Sequence, residues 1–253
     1  MIRDSISPTG RPGDAAPWRG GVSQERLRDV PDGFLAACIR FWPCGQNRSF
    51  IERARRAQII AAAIETIADA GYPNASLARI ARRAGVSKGV ISYHFAGKDE
   101  LMDQLVTDVH TEISESVIPR ILAQANAADM LRTHVREVAA YALEHRSRMT
   151  ALAQIFLHAR GPDGSPRYGA GESEPLYEAL EGLYREGGQK SGEFRPFDVR
   201  AMVVTQQSAT DGMFEYWRVH PDHDLMAHAA ELGEQLVRAT RADRSDRPEP
   251  TPP

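Results

Sequence analysis

The sequence predicts an all-α chain, a small helical head followed by a larger helical body. From Glu52 to Thr240 apolar residues recur at spacings of three and four, the period of one face of a helix. No run alternates with the period of two that a half-buried strand requires, and no internal repeat occurs. Glycines, prolines and small polar residues punctuate the periodic segments at intervals that suit helix ends.

Residues 1–50 carry Pro8, Pro12, Pro17, Pro31 and Pro43 among scattered glycines and arginines, so an extension without regular structure is expected. Within it, Gly33 to Trp42 gathers Phe34, Leu35, Ile39, Phe41 and Trp42 into an apolar cluster. Docking on the body or a partner, or translated upstream sequence, both account for it. Cys38 and Cys44 stand six apart and read as unpaired bystanders rather than a redox or metal site. They are the only cysteines, so the body has no disulfide framework or cysteine-rich zinc module, which fits a reducing compartment.

The first helix runs from Glu52 to Ala70, with Ile60, Ala63, Ile64, Ile67 and Ala68 on one face and Gly71 at its end. Arg53, Arg55 and Arg56 lie at its start. Ser76 opens a second helix whose apolar stripe is Leu77, Ile80, Ala81 and Ala84, with Arg79, Arg82 and Arg83 on its other faces. Gly85 ends it and Ser87 caps a third. Val86, Val90 and Ile91 can pack back, leaving Ser87, Lys88, Gly89, Ser92, Tyr93 and His94 for the outward side. A helix-turn-helix presents its recognition helix to a major groove in this way.

A fourth helix starts at Lys98 and carries Leu101, Leu105, Val109 and Ile113 in one row, with Asp99 and Glu100 at the positive end of its dipole. Pro119 is expected to kink or end it, bending the connection between head and body near Val117 to Arg120. In the body, residues 131–142, 149–159, 176–184, 196–219 and 222–240 read as five more helices. Residues 161–173, GPDGSPRYGAGES, are expected to form a mobile loop, and Gly187, Gly188 and Gly192 to separate the seventh helix from the eighth. The expected domains are thus an extension over 1–50, the head over 51–98, the body over 99–240 and a disordered tail over 241–253.

The whole chain of 253 residues has a formal net charge of −3. From Ile51 to Met102, however, eight basic residues face five acidic ones, a net +3 that leaves −6 for the remainder. A DNA-binding head on an acidic body has this asymmetry. Residues 1–18 lack a continuous apolar core of the secretory type and no apolar run reaches membrane-spanning length, so a cytoplasmic chain without a membrane partner is expected. No enzymatic constellation stands out: His134, His145 and His158 do not have the spacing of a metal motif, His220, His223 and His228 suit a surface loop and helix start, and no GxSxG occurs. Neither a catalytic residue, a cofactor nor a metal is assigned.

The segment from about Glu52 to Val106, above all IARRAGVSKGVISYHFAGKDELM, resembles the DNA-binding domain of the tetracycline-repressor (TetR) family of bacterial regulators. The resemblance covers about a fifth of the chain; the remainder is similar only in length and helical pattern. It implies an all-α fold in which the head reads double-stranded operator DNA and the body binds a ligand and dimerises. With the polarity of the segment, it places Tyr93, His94 and Lys98 on phosphates, Lys88, Gly89 and Val90 nearer base edges, and adds Ser76, Ser87 and Ser92 to the contact set. Arg53 is assigned to phosphates on the same ground, a solvated basic face being the alternative for it and for Arg55 and Arg56.

The expected function is a homodimeric repressor released from a palindromic operator by a small, largely apolar effector. An activator of the same fold, or a small-molecule enzyme or carrier with an incidental helix-turn-helix, is the alternative. Tyr141, Phe156, Met202, Gln206, Phe214 and Trp217 are the expected lining of the effector pocket, aromatic and methionine walls with one amide to orient a ligand. The seam Leu225, Ala229, Leu232 and Leu236 is the expected dimer contact through the eighth and ninth helices.

Overall fold

The computed structural model describes residues 50–169 and 173–242. The expectations for residues 1–49, including Cys38, Cys44 and the cluster Gly33 to Trp42, and for residues 243–253 lie outside the described residues. Among these there are nine α-helices and no sheet strand. We number them α1 (Phe50–Ala70), α2 (Leu77–Arg83), α3 (Lys88–His94), α4 (Lys98–Leu122), α5 (Ala127–Glu144), α6 (Arg146–His158), α7 (Glu174–Gly182), α8 (Val199–Val219) and α9 (Leu225–Thr240).

The helix ends follow the capping residues. Side-chain oxygens of Ser76, Ser87, Asn126, Asp198 and Asp224 accept from backbone N–H groups three residues on, opening α2, α3, α5, α8 and α9. Glu193 adds a second cap to α5 from outside, accepting from Ala127 N and Ala128 N at 2.9 and 2.8 Å. Gly85, at φ +66°, makes the turn between α2 and α3, and Val86 N donates back to Ala81 O at 3.0 Å.

The core divides into three clusters. The first joins α1, α2, α3 and the first half of α4 with Ala151, Leu152, Ile155 and Ala159 from the α6 region and Tyr168 from the loop beyond. α6 belongs to the body in sequence, yet it packs on α1, so the expected boundary after residue 98 does not divide the core. The second cluster gathers the end of α4 with α5, α7, Phe194 and the start of α8. The third lies among α5, α8 and α9.

Three expectations are corrected by this packing. α4 does not end at Pro119; it continues to Leu122, because Ile118, Ile121 and Leu122 are buried and the carbonyl deprived of its partner belongs to exposed Glu115. Gly187 and Gly188 do not break the seventh helix, which runs on as a π-helical segment, Leu183–Gln189. Glycine is required at 188 by close approach: a Cβ there would stand 1.9 Å from the Phe194 ring. Arg241 and Ala242, placed in the disordered tail by sequence, are tied to the 193–195 segment by backbone contacts, including Ala242 N to Glu193 O at 3.2 Å.

The fourth correction concerns α9. Leu225, Ala229, Leu232 and Leu236 pack on Val135, Ala139, Ala142, Met213 and Trp217 of their own chain, each less than a tenth exposed. α9 lies close to α5, where Gly233 leaves room for the Arg132 backbone and Arg132 forms a two-pronged ion pair with Glu234 at 2.6 and 3.3 Å. A narrow apolar seam has the same pattern whether it covers its own core or a partner's, and here the core is its own. The outward side of α8 is different in kind. Val204, Ser208, Gly212, Tyr216 and Val219 are exposed along it, and a Cβ on Gly212 would meet nothing within 4 Å.

Candidate nucleic-acid interface

The outward face of the head comes from local rules. Ile91 is fully buried and Val90 half-buried against the core, so the helical period turns Lys88, Gly89, Ser92 and Tyr93 to the outside, with Ser87 exposed at the cap. Tyr93 is 81% exposed. Such exposure of a large ring beside a lysine and two serines is unusual for a folded core and suits a surface that meets something else. The structure brings Ser76, Ser87, Lys88, Gly89, Ser92 and Tyr93 to exposed positions in the helix-turn-helix. Arg53 is exposed on the first turn of α1. Val90 and His94 are only partly accessible, and Nδ1 of His94 is buried without a hydrogen-bond partner.

Two basic residues expected at the DNA have other engagements. Arg56, read from sequence as a phosphate contact or solvated base, is 7% exposed. It donates to the backbone carbonyl of His94 and, at 3.2 Å, to Gln104 Oε1; it stands 3.6 Å from Glu100 and 3.9 Å over the Phe95 ring. One guanidinium thus fixes the end of α3 to the start of α4. The sequence held the signal: Arg56, Ile59, Ile60, Ala63 and Ile67 share one stripe, which placed Arg56 on the core face.

Lys98, half-buried, donates to Tyr72 O at 3.0 Å and lies 3.9 Å over the Tyr72 ring. Burial lowers its ammonium below the usual lysine range, and nearby Asp99 partly counters that. As placed, Lys98 holds the turn between α1 and α2.

A second engagement ties the body to the head. The loop after α6, expected to be mobile, folds over its described part into a tight turn, with Gly161 N donating to Ser165 O at 2.8 Å and Arg167 N to Ala159 O at 3.0 Å. Arg167 grips Asp103 of α4 with two hydrogen bonds of 3.1 and 2.6 Å, and Tyr168 OH donates to the same carboxylate at 2.6 Å. Tyr168 also stacks on Phe156, ring centroids 5.3 Å apart. Burial pushes the Asp103 carboxyl up, but the hydrogen bonds from Arg167 and Tyr168 outweigh it, leaving the group below its ordinary value. No sequence spacing pointed to this tie, since its partners are more than sixty residues apart.

Of the six residues expected to line one effector pocket, Met202, Phe214 and Trp217 share the cluster among α5, α8 and α9. Phe156 belongs to the head-side cluster under Tyr168. Tyr141 donates to Glu112 on α4 at 3.1 Å, and Trp217 carries Arg146 4.5 Å above its ring. Gln206 is fully buried at the centre of the body: its carbonyl accepts from Tyr184 OH at 2.6 Å and its amide donates to His134 Nδ1 at 2.8 Å. An amide N–H can only donate, so His134 presents a lone pair there and is neutral. Met202 and Phe214, both partly buried, flank Gln206 along α8. Among the described residues no cluster of three or more potential metal ligands occurs. No described helix is long and apolar enough to cross a membrane.

A capped helix-turn-helix with an outward polar and aromatic face, carried on a wholly helical body, defines a class of protein whose head is built to meet nucleic acid. The family described as bacterial regulatory proteins, tetR family, matches residues 59–105. Over those residues the head is similar to the DNA-binding domain of that family.

Among its relatives, the HTH-type transcriptional regulator BetI 1 of Chromohalobacter salexigens is 40% identical over 84 residues, which are 33% of this chain and 40% of that one. The regulator BetI of Escherichia coli is 37% identical over 87 residues, 34% of this chain and 45% of its own. The chain therefore spans less than half the length of these curated relatives. A solved structure of the transcriptional regulator FadR from Bacillus subtilis, in complex with stearoyl-CoA, superposes with a TM-score of 0.64 at 23% identity, covering 72% of this chain and 97% of that one. At that identity the likeness concerns the fold, and it extends over both head and body.

Proposed function

We propose that the chain is a homodimeric transcriptional regulator, acting as a repressor, that holds a palindromic operator through α3 and releases it when a small, largely apolar effector occupies the body. The observation that carries this reading is the outward face of α3, where Lys88, Gly89, Ser92 and Tyr93 stand clear of the core. Lys88 is assigned to base edges, and Tyr93 to a phosphate. Titrating the chain against the DNA upstream of its own gene tests this. Lys88→Ala is expected to weaken binding by about 1–3 kcal/mol and relax base preference, whereas Tyr93→Ala weakens binding to all sequences alike. Wild-type affinity in both variants would refute the assignment.

The dimer reading moves from the α9 seam to the outward side of α8, where Val204, Gly212, Tyr216 and Val219 form an apolar strip with open space above the glycine. Glycine on such a strip lets a second helix approach closely. Gly212→Glu, which disturbs no internal contact, is expected to give a folded monomer with much reduced operator affinity; light scattering at micromolar concentration checks it, and an unchanged dimer would count against this face.

The effector reading is supported by the fold shared with FadR, solved in complex with stearoyl-CoA. Within this chain it centres on Gln206 with Met202 and Phe214, since Gln206 is the one expected lining residue whose polar group lies in the body's interior. To lower DNA affinity tenfold the effector must prefer the DNA-free form by about 1.4 kcal/mol, and operator must weaken effector binding equally.

A further inference from the structure

Gln104, on the head half of α4, stands between two groups of fixed hydrogen-bonding character. Arg56 Nη2 of α1 donates to its Oε1 at 3.2 Å, and its Nε2 donates to Asp108 Oδ1 at 2.7 Å, one turn further along α4. We propose that Asp108 is a positioning residue for the recognition helix: it holds the Gln104 amide in the orientation that accepts from Arg56, and Arg56 in turn fixes the end of α3. The inference rests on the reading of the head as DNA-binding, which makes the end of α3 matter to a duplex.

The orientation follows from the partners. A guanidinium can only donate and a carboxylate can only accept, so an amide between them turns its oxygen to Arg56 and its nitrogen to Asp108. The reversed amide would set N–H against N–H at one end and oxygen against oxygen at the other. Burial raises the Asp108 carboxyl above its ordinary value and the charge of Glu112 adds to this, while the hydrogen bond from Gln104 and the charge of Arg56 oppose it. Glu100, Gln104 and Asp108 stand four residues apart, in one row along α4. Glu100 accepts from Ala96 N at 2.6 Å and lies 3.6 Å from Arg56.

Arg56 is where this row meets the recognition helix. Its other terminal nitrogen donates to the carbonyl of His94, the last residue of α3, next to exposed Tyr93. Without Asp108 the amide is free to turn over, and the guanidinium then meets N–H groups in place of an acceptor. Glu100, with its side chain 43% exposed, is a weak substitute at 3.6 Å.

The test uses the full chain and two measurements: affinity for a duplex of the DNA upstream of its own gene, and hydrogen exchange at the Phe95 amide, which closes α3 onto Ile91 O at 2.8 Å. Asp108→Leu is expected to weaken DNA binding about tenfold, the order of one hydrogen bond to a charged group, and to speed that exchange. Asp108→Asn keeps an acceptor for Gln104 and is expected to retain most of the affinity. The deciding variant combines Asp108→Leu with Gln104→Glu. A carboxylate at 104 accepts from Arg56 whichever way it turns, so both measurements are expected to return toward wild type although Asp108 is still missing. Asp108→Ala, run with and without Gln104→Glu, gives the same comparison if leucine unfolds the head. Wild-type affinity and exchange in Asp108→Leu overturn the proposal. A loss that Gln104→Glu does not restore, with helical content unchanged, also overturns it and makes Asp108 a packing residue of α4. A wild type that binds no duplex instead removes the DNA-binding reading, and the Phe95 exchange alone then decides whether Asp108 positions α3.

Discussion

Replacing Arg56 with alanine is expected to destabilise the head by about 3 kcal/mol or more and to abolish DNA binding, although Arg56 faces away from any DNA. The side chain is 7% exposed and donates to His94 O and Gln104 from one planar group. Its removal leaves a buried carbonyl at the end of α3 without a donor, and a space over the Phe95 ring. Arg56→Lys should recover only part of the loss, because a single ammonium cannot span the same acceptors. Thermal unfolding followed by circular dichroism, together with a DNA titration, decides it. A melt unchanged to within a degree and undiminished DNA affinity would show that the ends of α3 and α4 do not depend on this residue.

Acidification from pH 7 to pH 5 is expected to cost stability of about 2 kcal/mol for each of two histidines, His134 buried and His110 half-buried. Burial holds His110 and His134 at about 4, below their ordinary 6.5. In that interval the unfolded chain binds protons that the folded chain refuses, so acid favours unfolding. The stabilisation is complete above about pH 6.5 and erodes as pH falls toward 4. Asp108 and Asp211, raised by burial, work in the opposite sense at the acid end, which makes pH 7 against pH 5 the useful comparison. Urea midpoints at the two values measure the effect. His134→Gln, which keeps a polar group toward Gln206, should lose about half of the pH dependence; a wild-type midpoint that does not move would contradict the lowered proton affinity of both rings.

Much of the fold was legible because helices carry their own punctuation. Ser76, Ser87, Gly71 and Gly85 mark ends that local chemistry enforces, and the apolar period between them decides which face turns inward. The outward face of α3 followed from the same period, since Ile91 must be buried. Arg56 was misplaced although its stripe was visible, because an arginine at a helix start reads as solvated until a partner carbonyl comes within reach. Pro119 misled for a related reason. Its cost depends on whether the orphaned carbonyl can reach water, and the exposure of Glu115 is a tertiary fact. The α9 seam had the right pattern and the wrong partner. Phe156 and Trp217 are apolar at helical spacing, and spacing alone does not say which of three cores each will enter.

The tie of Arg167 and Tyr168 to Asp103 makes α4 a lever of unequal arms. Asp103 lies five residues from Lys98 at the head end and nineteen from Leu122 at the body end, about 7.5 and 28 Å at 1.5 Å per residue. Contacts at the Leu122 end thus act on α4 about 28 Å from this clamp, whereas the start of the helix lies within about 7.5 Å of it.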